Sequence, residues 1–324
     1  MKVEVEERQM RKNPFTGRIA DCVAYRTKYG QMYSGTAEDI LDEPSVSRFE
    51  GKVQLILTSP PFPLNRKKRY GNHQGEEYIK WLVSFGHQFK KMLTPDGSIV
   101  IEVGNSWESG QPTMSTLAVR SLIRFLEENH LHLCQEFVWH NPAKLPTPAQ
   151  WVNVERIRLK DNFTKLWWMA VNPRPKANNR EVLQPYSEAM RHLLKTGKYN
   201  PGRRPSEHNI GKRSFLADNG GSIPGNVITL ANTGSGDAYQ LYCKEQSITP
   251  HPARMPCDLA KFFIKFLTNP ADIVLDPFGG SNTTGAAAEE LKRYWISIEP
   301  RDEYIEGSKG RFSAGLRKGN VEAR

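Results

Sequence analysis

The chain is poor in cysteine. Its 324 residues carry four, Cys22, Cys134, Cys243 and Cys257, widely scattered and without any Cys-x-x-Cys pair. That argues against a zinc ribbon or a disulfide framework, and it makes a reducing cytosol the default compartment. No metal site is expected. Long apolar runs are also missing, so no segment approaches the roughly 20 residues that a bilayer-spanning helix needs. The first residues, Met1-Lys2-Val3-Glu4-Val5-Glu6-Glu7-Arg8, have no apolar core, which excludes a secretory signal. There is no Gly-x-Gly-x-x-Gly turn to cradle a dinucleotide pyrophosphate. Gly280-Ser281-Asn282-Thr283-Thr284-Gly285 matches the outer glycines of a P-loop, but Ala286 and Ala287 follow where Lys and Ser/Thr are required. Triphosphate binding is therefore excluded.

What the chain does have is positive charge, unevenly placed. Lys and Arg number 45 against 35 Asp and Glu, a net +10. Between Asn172 and Ser214 there are ten Lys/Arg and three Glu, so ten minus three gives +7 in that one segment. Arg66-Lys67-Lys68-Arg69 forms a second run. Concentrated positive charge suits a polyanion, although a solvated basic surface would look the same.

Hydrophobic patterning predicts alternating strands and helices. Val53–Leu57, Ile99–Val103, Leu131–Trp139, Phe163–Val171, Ile273–Asp276 and Trp295–Glu299 read as strands. Tyr78, Leu82, Phe85, Phe89 and Met92 share one helix face, as do Leu259, Phe262, Phe263, Phe266 and Leu267. Further helices are expected over Leu117–Leu126 and Thr284–Leu291. The order implies an α/β fold with a mostly parallel sheet covered on both faces. From 172 to 249 the periodicity fades into Pro, Gly, Asn and charge, with a short helix over Tyr186–Leu194. Three parts follow: 1–171 and 250–324 build one domain, and 172–249 is a loop-rich inserted lobe. The stretch from Gly307 is small, polar and basic, and is expected to fray.

Two motifs carry chemistry. Asp276-Pro277-Phe278-Gly279-Gly280-Ser281-Asn282-Thr283 lies between a strand and a helix, where glycines allow close ligand approach and the helix start offers free N–H groups. The next strand ends in Glu299, placed to hold ribose hydroxyls. Upstream, Thr58-Ser59-Pro60-Pro61-Phe62 also follows a strand. Consecutive prolines fix the backbone so that carbonyls stand out as acceptors. With the Ser59 hydroxyl and the flat face of Phe62, they can grip the exocyclic amine of a planar base. Both motifs fall at the C-terminal ends of strands, where ligands of open α/β sheets bind.

Together these motifs resemble the DNA amino-methyltransferases, specifically their cytosine-N4 group with Ser-Pro-Pro-Phe/Tyr. The likeness extends to Val-Trp-His-Asn-Pro-Ala-Lys-Leu-Pro (138–146), Asn-Gly-Gly-Ser-Ile-Pro (219–224) and His-Pro-Ala-Arg-Met-Pro (251–256), and covers about Tyr25 to Phe312. The resemblance implies a Rossmann-like sheet in permuted motif order, an inserted target-recognition lobe, and S-adenosylmethionine as cofactor. It implies that Ser59, Pro60, Pro61 and Phe62 hold the target cytosine. Asp276, Phe278, Gly279, Gly280, Ser281, Asn282, Thr283, Thr284 and Glu299 would bind cofactor, with Pro252 and Ala253 at its methionine end. Arg66, Lys67, Lys68, Trp139, Arg203, Arg204, His208, Lys212 and Arg213 are candidates for contact with double-stranded DNA. An enzyme of this kind protects host DNA beside a restriction endonuclease, in the cytoplasm, and can work as a monomer or weak dimer. The sequence departs from the family at Thr36, where Asp often follows Gly, and at Glu102, where a close relative carries Asp.

Four rivals stand against this reading, of which an RNA or protein amine acceptor is disfavoured by the likeness of the recognition lobe. Adenine-N6 transfer usually goes with Asp or Asn before Pro-Pro, and Ser59 argues against it. A DNA-binding protein with a decayed core is disfavoured because both motifs are intact. Transfer to a ring carbon would need Pro-Cys-Gln; here Pro256-Cys257 is followed by Asp258, so Cys257 reads as helix core.

Overall fold

In the computed structural model, alternation with a period of two decides which helix layer each strand residue meets. All six residues of Val53–Thr58 are buried. Leu55 and Leu57 pack into one apolar cluster and Ile56 into the other; Val53, ahead of a register shift, joins Ile56. A strand covered on both faces can therefore read as a continuous apolar run. The structure describes residues 13–15, 20–62, 73–198, 202–203, 205–207, 209–211, 215–233 and 236–312.

The strands are β1 (Val23–Arg26), β2 (Gly30–Ser34), β3 (Val53–Thr58), β4 (Leu93–Gly104), β5 (His132–His140), β6 (Phe163–Ala170), β7 (Gly202–Arg203), β8 (Asn209–Ile210), β9 (Val227–Thr229), β10 (Ile273–Asp276) and β11 (Tyr294–Glu299). Nine of them form one sheet in the order β1-β2-β11-β10-β3-β4-β6-β5-β9. Pairing is parallel from β2 through β4 and between β5 and β9; β1 and β6 run against their neighbours.

The helices are α1 (Ala37–Ile40), α2 (Pro44–Ser47), α3 (Gly75–Met92), α4 (Leu117–Asn129), α5 (Glu188–Thr196), α6 (Ala238–Glu245), α7 (Cys257–Leu267), α8 (Thr283–Glu290) and α9 (Asp302–Ser308). One face of the sheet is covered by α3 and α4 through Leu82, Phe85, Phe89 and Phe125. The other is covered by α7 and α8 through Phe263, Ile264, Leu267, Ala287 and Ala288. Helix α3 has Glu76 and Glu77 in its first turn and Lys90 and Lys91 in its last, which suits the helix dipole at both ends.

Two expectations change. The stretch from Gly307 does not fray through residue 312. Phe312 stacks on Trp295 with ring centroids 5.3 Å apart, and the Ser308 hydroxyl lies 2.6 Å from the Tyr25 hydroxyl. Its polar composition hides one aromatic anchor and one buried hydroxyl pair. The inserted unit is also narrower than 172–249: it spans Asn178–Gly225. Strand β9 joins the main sheet beside β5, so residues from 226 onward belong with the larger unit. Within the insert, Ser187 caps α5 by accepting from Met190 N at 3.2 Å, Gly197 ends it in the left-handed conformation, and β7 and β8 form a short antiparallel ribbon. Its low content of regular structure matches the faded periodicity.

Candidate active site

Strands β3 and β10 are parallel neighbours, so their C-terminal ends open at the same sheet edge. The two motifs meet there directly. Thr58 Oγ1 donates to Asp276 Oδ1 at 2.7 Å, a buried bond between residues 218 positions apart. Around this junction lies a cavity of about 880 Å³ that both motifs line.

At one end of the cavity, Ser59 Oγ donates to Glu102 Oε2 at 2.9 Å, and Thr164 Oγ1 donates to Glu102 Oε1 at 3.2 Å. Glu102 lies two residues before the end of β4, and Thr164 reaches it from antiparallel β6, where it pairs with Gly104. Burial pushes the Glu102 carboxyl up to about 7, although the two hydroxyls and the charge of Lys144 favour its ionised form. Phe62 covers Gly104. A Cβ at Gly104 would lie 2.4 Å from Phe62 Cδ2, so glycine is what lets the ring settle there. Trp139 also lines the cavity but is only 6% exposed, its indole Nε1 donating to Leu230 O at 2.9 Å. It is a wall of the pocket.

At the other end, the glycine turn is fixed by its neighbours on β11. Gly279 N donates to Ile298 O at 2.8 Å, and Gly280 N to Glu299 Oε2 at 2.9 Å. Gly280 has φ +49, and a Cβ there would approach His251 Nε2 to 3.2 Å. Arg301 N donates to the second Glu299 oxygen at 3.0 Å. Burial still raises Glu299 to about 7, despite these amide donors. Asp276 is raised to about 6 for the same reason. His251 is half-buried and held down to about 4, so its ring is neutral; Nδ1 accepts from Ala253 N at 3.3 Å, leaving Nε2 to carry the proton. Phe278 packs between Trp81 and Phe85, at 5.4 and 5.2 Å between centroids.

Of the expected cofactor residues, Asp276, Phe278, Gly279, Gly280, Ser281, Thr283, Thr284, Glu299 and Ala253 line the cavity. Asn282 does not. It is fully buried, donates to Tyr25 Oη at 2.9 Å, and accepts from Ser297 Oγ and Gly285 N at 2.7 and 3.1 Å. Its side chain builds the turn and is buried away from the cavity. Pro252 is exposed between two lining residues, His251 and Ala253, without lining the cavity itself. Thr36 caps α1: it accepts from Asp39 N and donates to Asp39 Oδ2 at 2.7 Å, while Glu38 accepts from Trp81 Nε1 at 2.6 Å. Thr36 and Glu38 both line the cavity, and Asp39 is held by the cap.

Arg66, Lys67, Lys68, Arg204, His208, Lys212 and Arg213 lie outside the described residues. Arg203 is exposed on β7, 3.6 Å from Glu207. Cys257 begins α7 and does not line the main cavity. Sequence reasoning missed Arg311, which donates to Ser281 O at 2.5 Å and Ser281 Oγ at 2.9 Å and lies over the Tyr239 ring. No motif marks it. Thr164 and Lys144 were likewise passed over, although both flank quoted aromatic strands.

A glycine cradle with a ribose-sized acid beside it, joined to rigid carbonyl acceptors, fits a nucleoside with an amino-acid tail next to a planar amine. Known proteins point the same way. The DNA methylase family model matches residues 53–310. The chain is 45% identical to the type II methyltransferase M.PvuII of Proteus hauseri over 291 residues, covering 89% of this chain and 85% of that one. It is 27% identical to M.BglII of Bacillus subtilis over 277 residues, covering 85% and 67%. Among solved structures, the PvuII cytosine-N4-specific DNA methyltransferase superposes with a TM-score of 0.72 at 38% identity, covering 91% of this chain and 90% of that one. The M1.HpyAVI–SAM complex shares the fold at a TM-score of 0.52 and 22% identity.

Proposed function

The chain belongs to the DNA methylase family, and we propose that its two joined half-sites transfer a methyl group from S-adenosylmethionine to the N4 amine of a cytosine in double-stranded DNA. The observation that carries this is the Thr58–Asp276 hydrogen bond, which sets the Ser-Pro-Pro-Phe acceptors beside the glycine turn in one cavity. The biological setting is type II modification, in which the methylated site is spared by a partner endonuclease that need not bind this chain. No helix among the described residues is long and apolar enough to cross a membrane.

S-adenosylmethionine, when bound, supplies an electrophilic methyl group on a sulfonium. Glu299 would take the ribose hydroxyls, Gly279 and Gly280 allow close approach, and Ser281, braced by Arg311, faces the amino-acid tail. The exocyclic amine is hidden in a duplex, so the base must be turned out of the stack into the pocket. There Phe62 and Trp139 offer flat faces. The carbonyls around Pro60 and Pro61 and the Ser59 hydroxyl grip the amine. Holding both of its hydrogens favours a tetrahedral nitrogen, whose lone pair can attack in line. Positive charge then develops on nitrogen as the methyl–sulfur bond breaks with its electron pair going to sulfur; ionised Glu102 behind Ser59 stabilises that charge, and one N4 proton is lost to solvent to leave the neutral methylated amine. No covalent intermediate forms. Each strand of a short palindrome can be served in turn, so a monomer suffices. Basic residues of the insert and of the Arg66–Arg69 run supply phosphate contacts.

Incubation with duplex DNA and cofactor, followed by nucleoside mass spectrometry, tests the proposal. N4-methylcytosine is expected. N6-methyladenine or 5-methylcytosine as the product would overturn it.

A further inference from the structure

A lysine whose ammonium has no hydrogen-bond partner among the described residues lines the cavity that holds Ser59 and Glu102. Lys144 sits on the turn after β5, where Ala143 N donates to Asn141 Oδ1 at 3.1 Å and Lys144 N to Asn141 O at 3.2 Å. The turn sets its half-buried side chain on the cavity wall with Ser59, Glu102 and Thr164. Its charge acts on Glu102. Among the described residues, no carboxylate or carbonyl accepts from its ammonium. Neighbouring lysines are provided for: Lys160 Nζ donates to Pro142 O at 3.2 Å, and Lys165 pairs with Glu136 at 3.7 Å. A partly desolvated ammonium in a pocket gains most from an acceptor that the ligand brings.

The chemistry of the base suggests which acceptor. Cytosine presents N4, N3 and O2 in sequence along one edge. With Ser59 and Glu102 at the amine, the O2 carbonyl is the strongest further acceptor that the base brings into the cavity that Lys144 lines. Resting on the reading of the acceptor as cytosine, we propose that Lys144 donates a hydrogen bond to the O2 carbonyl of the target base and so helps select cytosine over adenine. Adenine puts a C–H where cytosine has O2, so a bound adenine would leave the ammonium buried without an acceptor. The competing role for a lysine here is a contact to the phosphate of the extruded nucleotide.

A cycle of two changes separates these roles. Wild type and K144M are compared on a duplex with cytosine at the target and on one with a 2-aminopyridine C-nucleoside there, which keeps the amine and the adjacent ring nitrogen but lacks the carbonyl. K144M should lose roughly tenfold to hundredfold in kcat/KM on cytosine, as expected for a charge-assisted hydrogen bond. On the analogue that penalty should disappear, and the salt dependence of DNA binding should be the same for both proteins. An equal penalty on both duplexes, a shallower salt slope in K144M, or no penalty on cytosine would each overturn the proposal. If the analogue is turned over too slowly, equilibrium titration of the same four pairs gives the same comparison, and K144Q repeats it should K144M misfold. The identity of the methylated nucleoside from wild type is read in the same reactions. A product other than N4-methylcytosine would defeat the underlying reading, whatever K144M does.

Discussion

Ser59 Oγ donates to Glu102 Oε2 across 2.9 Å, tying the residue proposed to grip the acceptor amine to a carboxyl that burial raises to about 7. The ionised form accepts from both Ser59 and Thr164 and faces the charge that builds on nitrogen. Below about pH 7 Glu102 takes up a proton and that stabilisation fades. We expect kcat to fall with acidification through a single ionisation near 7. Glu102→Gln should cost about a hundredfold in kcat, in the range seen when one preorganised electrostatic group is removed, and its pH profile should be flat through that region. A profile for the variant that still bends near 7 would assign the ionisation elsewhere.

Glu299 is likewise raised to about 7 by burial, while the amides of Gly280 and Arg301 favour its charge. Ribose hydroxyls donate to a carboxylate, so binding favours the deprotonated form. By linkage, cofactor affinity should weaken as pH drops below about 7, by up to about tenfold per pH unit. Calorimetric titration of wild type should show this slope. Glu299→Gln should bind weakly at every pH, without the slope.

Breaking the Thr58–Asp276 bond should affect both half-sites together. Thr58→Val keeps the shape and deletes the donor. A buried carboxylate losing one of its donors costs about 1–3 kcal/mol, visible as a lower denaturation midpoint. KM for cofactor should rise and kcat fall in the same variant. Thr58→Ser, which restores the hydroxyl, should recover both. An effect on stability alone would reduce Thr58 to a packing residue.

Gly104→Ala places a methyl group where the Phe62 ring now lies, 2.4 Å from Cδ2. The ring must move. Cofactor affinity should stay near wild type, since the glycine turn is untouched. Single-turnover methylation should drop by tenfold or more, as small misplacements of a positioned reactant do. Equal loss of both would mean that Gly104 supports the whole sheet edge instead.

Much of this was legible in the sequence because it is local. Runs such as Val53–Leu57 and the four- and three-residue spacing from Tyr78 to Met92 report burial by periodicity alone. The two motifs announce their turns through Pro-Pro and Gly-Gly. What could not be read depends on which distant side chains meet. Arg311 reaches Ser281 from a stretch whose composition suggested fraying. Thr164 reaches Glu102 only because β6 runs antiparallel to β4. Asn282 looked like part of the ligand cradle, yet its amide is consumed by Tyr25, Ser297 and Gly285, a partnership set by the left-handed turn it adopts.

The sheet order has a consequence in time. Strands β10 and β11 lie between β2 and β3, yet they are made after every other strand of the sheet. During synthesis, the first 270 residues leave the ribosome with a two-strand gap at the middle of their sheet and half of the cavity missing. At about 5–20 residues per second, the roughly 240 residues between the end of β3 and the end of β11 keep that gap open for about 12–48 s. Catalytic competence should therefore appear abruptly, when the last strands insert, and a ribosome-stalled chain ending before Ile273 should hold neither cofactor nor methylated product.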